Sequence, residues 1–168
     1  MQLISNAPPM QPLFGLLKPF EQQAYSVIVF LPNLASPYAR EAAIRLNTWI
    51  APLDELDTQL ISITMTPSAL ARDAIPRLLL KFPIVCDPEG VLFKHFSIMP
   101  GSAWQCLPSR LPRRGVFRAM LEWRQAFRAL GGVIICQSSS IIHNTKFSKI
   151  DTIPRLEPIL KTIRATQK

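Results

Sequence analysis

The side chains of this chain that could do chemistry are few and widely spaced. Its three cysteines, Cys86, Cys106 and Cys136, match neither a zinc-ligand spacing nor a Cys-x-x-Cys pair, so we expect small buried residues or inert thiols. The sequence contains no carboxylate pair, metal-ligand cluster, glycine-rich phosphate loop or Ser-His-Asp order. These observations predict neither a metal nor a cofactor.

The stretch PNLASPYARE, residues 32–41, follows the apolar run SVIVFL and opens a long apolar repeat. Ser36 followed by Pro37 is a common helix opening, with serine as the cap and proline in the first helical position. A helix N-terminus presents unpaired N–H groups and positive potential, which favour a bound anion, carboxylate or enolate oxygen. Ser36 and Tyr38 are therefore candidate catalytic groups, unless Ser36 only caps the helix. The candidate ligand-binding residues of this turn are Asn33, Ser36, Tyr38 and Arg40.

Two further regions could contribute to the same site. His143, in SIIHNTKF, is a candidate general acid or base if it faces the pocket, although a lone strand histidine is more often a hydrogen-bonded surface residue. Residues 110–128 hold six arginines against one glutamate, and the chain has a net charge of +8. This charge favours an anionic ligand or surface, but nucleic acid is not the expected partner because no binding module is recognisable. Trp123 and Arg128 are candidate ligand contacts from this segment.

Apolar periodicity predicts the elements that must position these residues. SVIVFL is apolar on both alternating faces, which predicts a central strand covered on both sides. Residues 39–56 repeat apolar side chains at three- and four-residue steps and predict an amphipathic helix. A strand (58–66), a helix (67–82) capped by Ser68 and interrupted at Pro76, a short strand in PIVCDPEG and a small helix, VLFKHFSI, follow. The alternation predicts an α/β fold with a mostly parallel sheet.

The rest of the chain predicts a helix at 114–130, an antiparallel hairpin in GGVIICQSSSIIHNTKF and a closing helix in RLEPILKTIRATQK. Residues 1–25 are interrupted by prolines and predict an arm, with one domain at 26–168. No apolar run approaches the roughly 20 residues of a membrane span, and the first residues lack the pattern of a signal peptide. We therefore expect a soluble, cytoplasmic protein.

Four pieces of this sequence resemble, in order, the peroxiredoxin-like proteins of the AhpC/TSA family. They are VIVFLPNLASPYAREAAIRL, LISIT, FPIVCDPEGVLFKHFSI and LGGVIICQSSSIIH, which lie within residues 26–165. The fragment FP-x-x-x-DP-x-x-x-L and the LGG before the hairpin are the most specific parts. The resemblance implies a thioredoxin-like fold, in which a central mixed sheet of a parallel βαβ half and a C-terminal antiparallel hairpin is flanked by helices.

The same resemblance defines what the turn after the first strand lacks. The family has Cys-Pro-x-Cys there, or in the general peroxiredoxin pattern Pro-x-x-x-Thr-x-x-Cys, and both alignments place Ser36 and Ala39 at the key positions. A serine hydroxyl cannot cycle through sulfenic acid or a disulfide, so peroxide reduction at this site is chemically excluded. Arg128 lies one or two residues from where the family places a charge-stabilising arginine. An engineered origin of the two replacements stays open, although serine with alanine is an uncommon laboratory choice.

Three functions are compatible with these features. The first is a redox-inactive, peroxiredoxin-like pseudoenzyme whose former active-site cleft binds a small anionic molecule, with or without non-redox catalysis such as isomerisation, cyclisation or elimination. The second is a non-catalytic protein-interaction module that uses the basic face of residues 110–128. The third and most remote is a thiol oxidoreductase that uses a displaced Cys106 or Cys136. A homodimer is the default assembly, because thioredoxin-fold proteins often pair through exposed edges.

Overall fold

The described strands form one five-stranded mixed sheet. The computed structural model describes residues 23–98, 130–138, 140–149 and 152–167. The strands, in chain order, are β1 (Tyr25–Leu31), β2 (Thr58–Thr64), β3 (Ile84–Cys86), β4 (Gly132–Gln137) and β5 (Ser140–Lys146). Their order across the sheet is β3-β2-β1-β4-β5, with β1, β2 and β3 parallel, and β4 antiparallel to both β1 and β5.

Helices flank this sheet and complete a thioredoxin-like order. They are α1 (Pro37–Leu46), α2 (Ile50–Asp54), α3 (Ser68–Arg77), α4 (Val91–His95) and α5 (Leu156–Thr166), with a 3₁₀ turn at Asn47–Trp49 between α1 and α2. A parallel βαβ half is followed by an antiparallel hairpin and a closing helix. The predicted fold class is therefore confirmed. Of the predicted helix at 114–130, only Leu130 is among the described residues. Of the predicted arm at 1–25, residues 1–22 lie outside the described part of the chain.

The central strand β1 carries apolar side chains on both faces, as its sequence predicts. Val27 and Val29 belong to a core cluster that also contains residues of α1, α2 and α5, whereas Ile28 and Phe30 belong to a second cluster with residues of α4. All four side chains are fully buried. Because one strand serves both clusters, the two halves of the core are joined through the backbone of β1.

The predicted helix over residues 39–56 is two helices in the structure. The chain leaves α-helical geometry after Leu46, passes through the 3₁₀ turn and resumes as α2. Pro52 supplies the physical reason, because it has no N–H to donate to the carbonyl of Thr48, and its ring crowds the preceding turn. The apolar repeat still predicts the core side correctly, since Trp49 and Leu53 are buried.

The prediction that Ser68 caps the following helix is wrong. Pro67 occupies the cap position with extended backbone (φ −56°, ψ 143°), no side chain makes a capping hydrogen bond, and Ser68 is the first helical residue. The N–H of Ala71 donates to the carbonyl of Pro67 (2.9 Å), so the first helical hydrogen bond starts at the proline and Ser68 lies inside the helix. The helix contains Pro76 and ends at Arg77, one residue after the predicted interruption.

Candidate functional site

The turn after β1 lies beside the end of β2. Leu31 and Thr64 are register partners in the parallel pair β1 and β2, so the carboxyl ends of both strands meet at one edge of the sheet. Residues 32–36 connect β1 to α1. Clefts beyond the carboxyl ends of parallel strands are the usual ligand sites of open α/β sheets. The helix opening is therefore in a position where a ligand site is physically expected.

Asn33 closes the turn through its own side chain. Its Oδ1 accepts a hydrogen bond from the backbone N–H of Ala35 (2.9 Å), and its carbonyl accepts one from the N–H of Ser36 (2.8 Å). An asparagine that bonds the backbone two residues later mimics a backbone turn. Asn33, a predicted ligand contact, therefore has a clear structural task within the turn.

Two buried threonines of the β2 end hold the same turn from the other side. Thr64 Oγ1 donates to the carbonyl of Pro32 (2.7 Å), and Thr66 Oγ1 accepts from the N–H of Leu34 (2.8 Å). The two hydroxyl oxygens lie 2.9 Å apart, and both side chains are almost completely buried. Because Thr64 uses its proton on Pro32, Thr66 is the donor between the two hydroxyls. The turn is thus tied to the end of β2 and the residues after it at two points, Pro32 and Leu34.

Ser36 and Ala39 occupy the opening of α1, and neither offers a reactive group to solvent. Ser36 is the cap residue with extended backbone (φ −72°, ψ 133°) and Pro37 follows in the helix, as predicted. The Ser36 side chain makes no capping hydrogen bond, and it is 3% exposed. Ala39 is also 3% exposed and its methyl group packs in the core cluster of α1. The opening of α1 therefore carries a buried hydroxyl and a buried methyl group at these two positions, and neither is a thiol.

Arg40 connects the turn to a cleft. Its Nε donates to the carbonyl of Leu34 (2.6 Å), the residue whose N–H is held by Thr66. This hydrogen bond fixes the orientation of the planar guanidinium group relative to the turn. Because Nε is the engaged atom, the terminal nitrogens of Arg40 are the donors that remain for an anion.

The cleft lies between the α1 opening and α3 and has a volume of about 230 Å³. Its polar lining residues are Arg40, Arg77, Asp73 and Thr66. Its apolar lining is Leu34, Ala35, Leu70, Ala74 and Leu78. Two arginines against one aspartate make the cleft cationic, and the N-terminus of α1 adds to the positive potential.

The structure brings only some of the predicted site residues together. Asn33, Ser36 and Arg40 share the turn, and Arg40 alone of these lines the cleft. Tyr38 is half-buried in the first turn of α1 and is not among the residues that line the cleft. Trp123 and Arg128 lie outside the described residues, and so does the basic face at 110–128.

His143 is not part of this site. It lies in β5, opposite Ile135 of β4, whereas the carboxyl end of β1 pairs with Gly132 at the other end of β4. With about 4.8 Å between strands and about 3.4 Å per residue, its backbone lies roughly 14 Å from Phe30. Its Nε2 is 2.6 Å from the Thr145 hydroxyl, a neighbour on the same strand. His143 therefore has the role of a hydrogen-bonded edge residue.

The sequence alone did not identify Thr66, Asp73 and Arg77 as site residues. The ITMT segment at the end of β2 carried a usable signal, because hydroxyls two residues apart lie on one face of a strand and end at the ligand edge of the sheet. No comparable signal distinguished Arg77 from the other arginines. Its place in the cleft depends on how α3 packs against the turn.

The described cysteines lie apart from the helix opening. Cys136 is buried in β4, as its place in a central strand predicts, and desolvation raises the pKa of its thiol to about 12. Burial also raises the pKa of Cys86, at the end of β3. Cys106 lies outside the described residues. Within the described segments, no cluster of three metal-ligating side chains occurs and no helix is long and apolar enough to cross a membrane.

Comparisons with known proteins agree with this architecture. The sequence model of the AhpC/TSA family matches residues 16–127. No curated protein has a matching sequence. Similar solved structures include a cysteine-to-serine mutant of PrxQ from Xylella fastidiosa, with a TM-score of 0.66 and 13% identity over 90% of this chain and 82% of that chain. For peroxidoxin BcpB from Mycobacterium tuberculosis the TM-score is 0.63, with 14% identity over 90% and 86%. For AhpC from Enterococcus faecalis it is 0.63, with 15% identity over 86% and 75%.

Proposed function

The chain belongs to the AhpC/TSA family, and we propose that it is a redox-inactive member that binds a small organic anion in the cleft between α1 and α3. The observation that carries this proposal is that Arg40 and Arg77 line the same cleft, beside a helix opening that has no thiol. The proposal therefore has two parts, loss of thiol chemistry and retention of an anion site, and each part has its own test.

Loss of thiol chemistry at the opening of α1 follows from the residues that occupy it. Ser36 and Ala39 carry no sulfur, and a peroxidatic mechanism requires a thiolate at the opening of this helix. Cys136 is a poor substitute, because its thiol is 1% exposed and its pKa is raised to about 12, so almost none is ionised near neutral pH. The homologous structures belong to peroxiredoxins, which makes redox inactivity a difference between this chain and its relatives.

The chemistry of the cleft lining supports a particular class of ligand. Two guanidinium groups bind a carboxylate or phosphate through several charge-assisted hydrogen bonds. Leu34, Leu70 and Leu78 provide an apolar wall on which a short hydrocarbon part of the ligand can pack. The volume of about 230 Å³ is below the range of roughly 300–1,000 Å³ for drug-sized ligands, so a small metabolite with one anionic group and an apolar part fits best.

Catalysis at this cleft would be of a non-redox kind. Asp73 is the carboxylate among the lining residues and could accept a proton from a bound ligand. Isomerisation, cyclisation and elimination that proceed by proton abstraction would use such a base, and they remain predictions. Binding itself does not depend on turnover and is the part to test first.

The binding part is tested by thermal unfolding in the presence of short aliphatic and aromatic carboxylates and of inorganic phosphate. A carboxylate present at about 100 times its Kd stabilises the folded chain by roughly 2.7 kcal/mol. The expected result is a Tm that rises with ligand concentration in the wild type and rises much less in the Arg40→Gln/Arg77→Gln variant. Arg72→Gln is the matched control, because Arg72 is exposed on the same helix and does not line the cleft. Equal shifts in all three proteins would refute binding at this cleft.

The redox part is tested separately by thiol-dependent consumption of hydrogen peroxide. Wild type and the Cys86→Ser, Cys106→Ser and Cys136→Ser variants are all expected to show only the uncatalysed rate. Turnover that disappears in one of these variants would instead identify a displaced catalytic thiol. An active peroxiredoxin that has the Cys-Pro-x-Cys motif is the positive control for the assay.

A further inference from the structure

Leu79 combines an unfavourable backbone conformation with an exposed apolar side chain. Its φ is 51°, in the left-handed region, and its side chain is 74% exposed. The described non-glycine residues with positive φ are Asp57, Leu79, Ser97 and Ser138. The other three are small or polar, types that visit this region more readily, so Leu79 is the apolar exception in this part of the chain.

The hydrogen bonds around Leu79 show that glycine would be the usual residue there. The N–H of Leu80 donates to the carbonyl of Ile75 (3.1 Å), and the N–H of Leu79 donates to that of Pro76 (3.2 Å). This pair of bonds is the Schellman ending of a helix, in which the left-handed position is most often glycine. Leucine at this position is both strained and exposed. Strain of this kind is a reason to look for a function of the side chain.

The turn that carries Leu79 is braced against the end of α1. Asn47 Nδ2 donates to the carbonyl of Leu79 (3.0 Å), and Asn47 Oδ1 accepts from the N–H of Lys81 (3.0 Å). Ile44 lies one helical turn before Asn47 and is 47% exposed. Two large exposed apolar side chains thus come from neighbouring elements. We call Ile44 and residues 78–81 the leucine turn surface.

Basic residues are the sequence neighbours of these apolar side chains. Arg77 and Lys81 flank the leucines in sequence, both exposed, and Arg45 follows Ile44. Glu41 pairs with Arg45 at 2.8 Å and offsets one of these three positive charges. The surroundings are therefore net positive. Exposed apolar side chains with mostly basic sequence neighbours fit a partner whose apolar side chain is flanked by acidic residues.

We propose that the leucine turn surface is a docking site for an acidic peptide segment that carries an apolar anchor side chain. The anchor packs on Leu79 and Ile44, and the acidic residues on either side of it pair with Lys81 and Arg77. The braced turn presents Leu79 in one fixed conformation, so little conformational entropy is lost on binding. Two apolar side chains on a turn and a helix do not form the broad amphipathic face with which a helix lies in a membrane surface.

In the test, peptides are selected from a phage-displayed random library for binding to the immobilised full chain. The Leu79→Gly/Lys81→Glu variant is added in solution as a competitor, so that phage binding elsewhere on the chain are removed. The expected peptides contain several aspartates or glutamates around an aliphatic or aromatic residue. Their affinity, measured by fluorescence polarisation, should fall at least about tenfold with Leu79→Gly, as for an interface hot spot. The same substitution should raise the Tm by roughly 2–4 °C, because it relieves backbone strain. Lower affinity in a more stable protein cannot be explained by misfolding.

Ser97→Gly is the matched control for this experiment. Ser97 has φ 54° at the same kind of helix end, after α4, and is exposed outside the leucine turn surface. It should also raise the Tm and should leave peptide affinity unchanged. The proposal is overturned if no acidic peptides are enriched or if their affinity is the same for Leu79→Gly. It is also overturned if Leu79→Gly abolishes self-association of the chain or binding to phosphatidylserine vesicles instead, since the surface would then have a different occupant.

Discussion

Burial decides which residues of this chain can react. Cys136 lies in the sheet, where its thiolate would be separated from water, so its pKa is raised to about 12. At the opening of α1, where the helix would favour a thiolate, the chain has a buried serine and a buried alanine. The chain thus has thiols, and it has a helix opening that would favour a thiolate, but the two lie at different places.

The raised pKa of Cys136 predicts a pH dependence of stability. The thiol ionises near pH 9 when unfolded and near pH 12 when folded, so its contribution is intact below about pH 9 and is lost as the pH rises towards 12. The folded state should lose on the order of 1 kcal/mol from this group by about pH 10. Urea unfolding of wild type and Cys136→Ala at several pH values should show this difference. Parallel pH profiles for the two proteins would contradict it.

At the scale of an element, α4 depends on one carboxylate. Asp87 accepts hydrogen bonds from the N–H groups of Val91 (2.9 Å), Leu92 (2.9 Å) and Phe93 (3.3 Å), at the helix end where negative charge is favoured. Replacing Asp87 with alanine should cost about 2–3 kcal/mol of unfolding free energy, measured in urea.

Two companion variants make the Asp87 result specific. Asp87→Asn keeps one acceptor oxygen and should cost less than alanine. Glu89→Ala, at an exposed position in the same turn, should change the unfolding free energy by less than about 0.5 kcal/mol. If Glu89→Ala cost as much as Asp87→Ala, the turn rather than the carboxylate would be the sensitive feature.

The entry to the hairpin depends on close packing at Gly131. A Cβ there would come within 2.6 Å of the ring of Phe147 and 2.7 Å of the backbone oxygen of Phe30. Gly131→Ala should therefore destabilise the chain by about 1–3 kcal/mol in urea unfolding. Adding Phe147→Leu should recover little of the loss, because the clash with the Phe30 backbone remains. Full recovery would show that the ring alone excludes a side chain.

At the scale of the whole molecule, the two core clusters should unfold together. They pack on opposite faces of the same sheet and share β1, so neither can lose its packing without disturbing the strand of the other. Leu46→Ala on one face and Ile61→Ala on the other should each cost about 2–5 kcal/mol. Both variants should shift one common transition, followed by tryptophan fluorescence and by far-ultraviolet circular dichroism. Separate transitions for the two probes would show independent clusters.

The sequence predicted most of the fold because its signals are local. Continuous apolar runs indicate the buried strands β1 and β4, and the three- and four-residue repeat indicates α1. The errors also have local causes. Pro52 divides the predicted helix 39–56, and Pro67 moves Ser68 from the cap into the helix. Periodicity shows which face of a segment is apolar, whereas proline decides where its hydrogen bonds stop.

The candidate site was only partly predictable. Asn33, Ser36 and Arg40 are close in sequence and share one turn, so the motif was enough to find them. His143 looked equally suitable for chemistry, yet sheet order places it two strands from β1. Strand order is a property of pairing across the sheet, and no side chain in SIIHNTKF reveals it.

The sequence by itself determined that no thiol exists at the opening of α1, because the identity of the side chains at residues 36 and 39 is enough to exclude that chemistry. It also determined the order of strands and helices along the chain. Only the tertiary structure decided that Thr66 holds the turn at Leu34, that Arg77 joins Arg40 at one cleft, and that Leu79 is held in a strained, exposed turn. These contacts join residues about 30 or more positions apart, or depend on helix ends, and they form only when helices pack on the finished sheet.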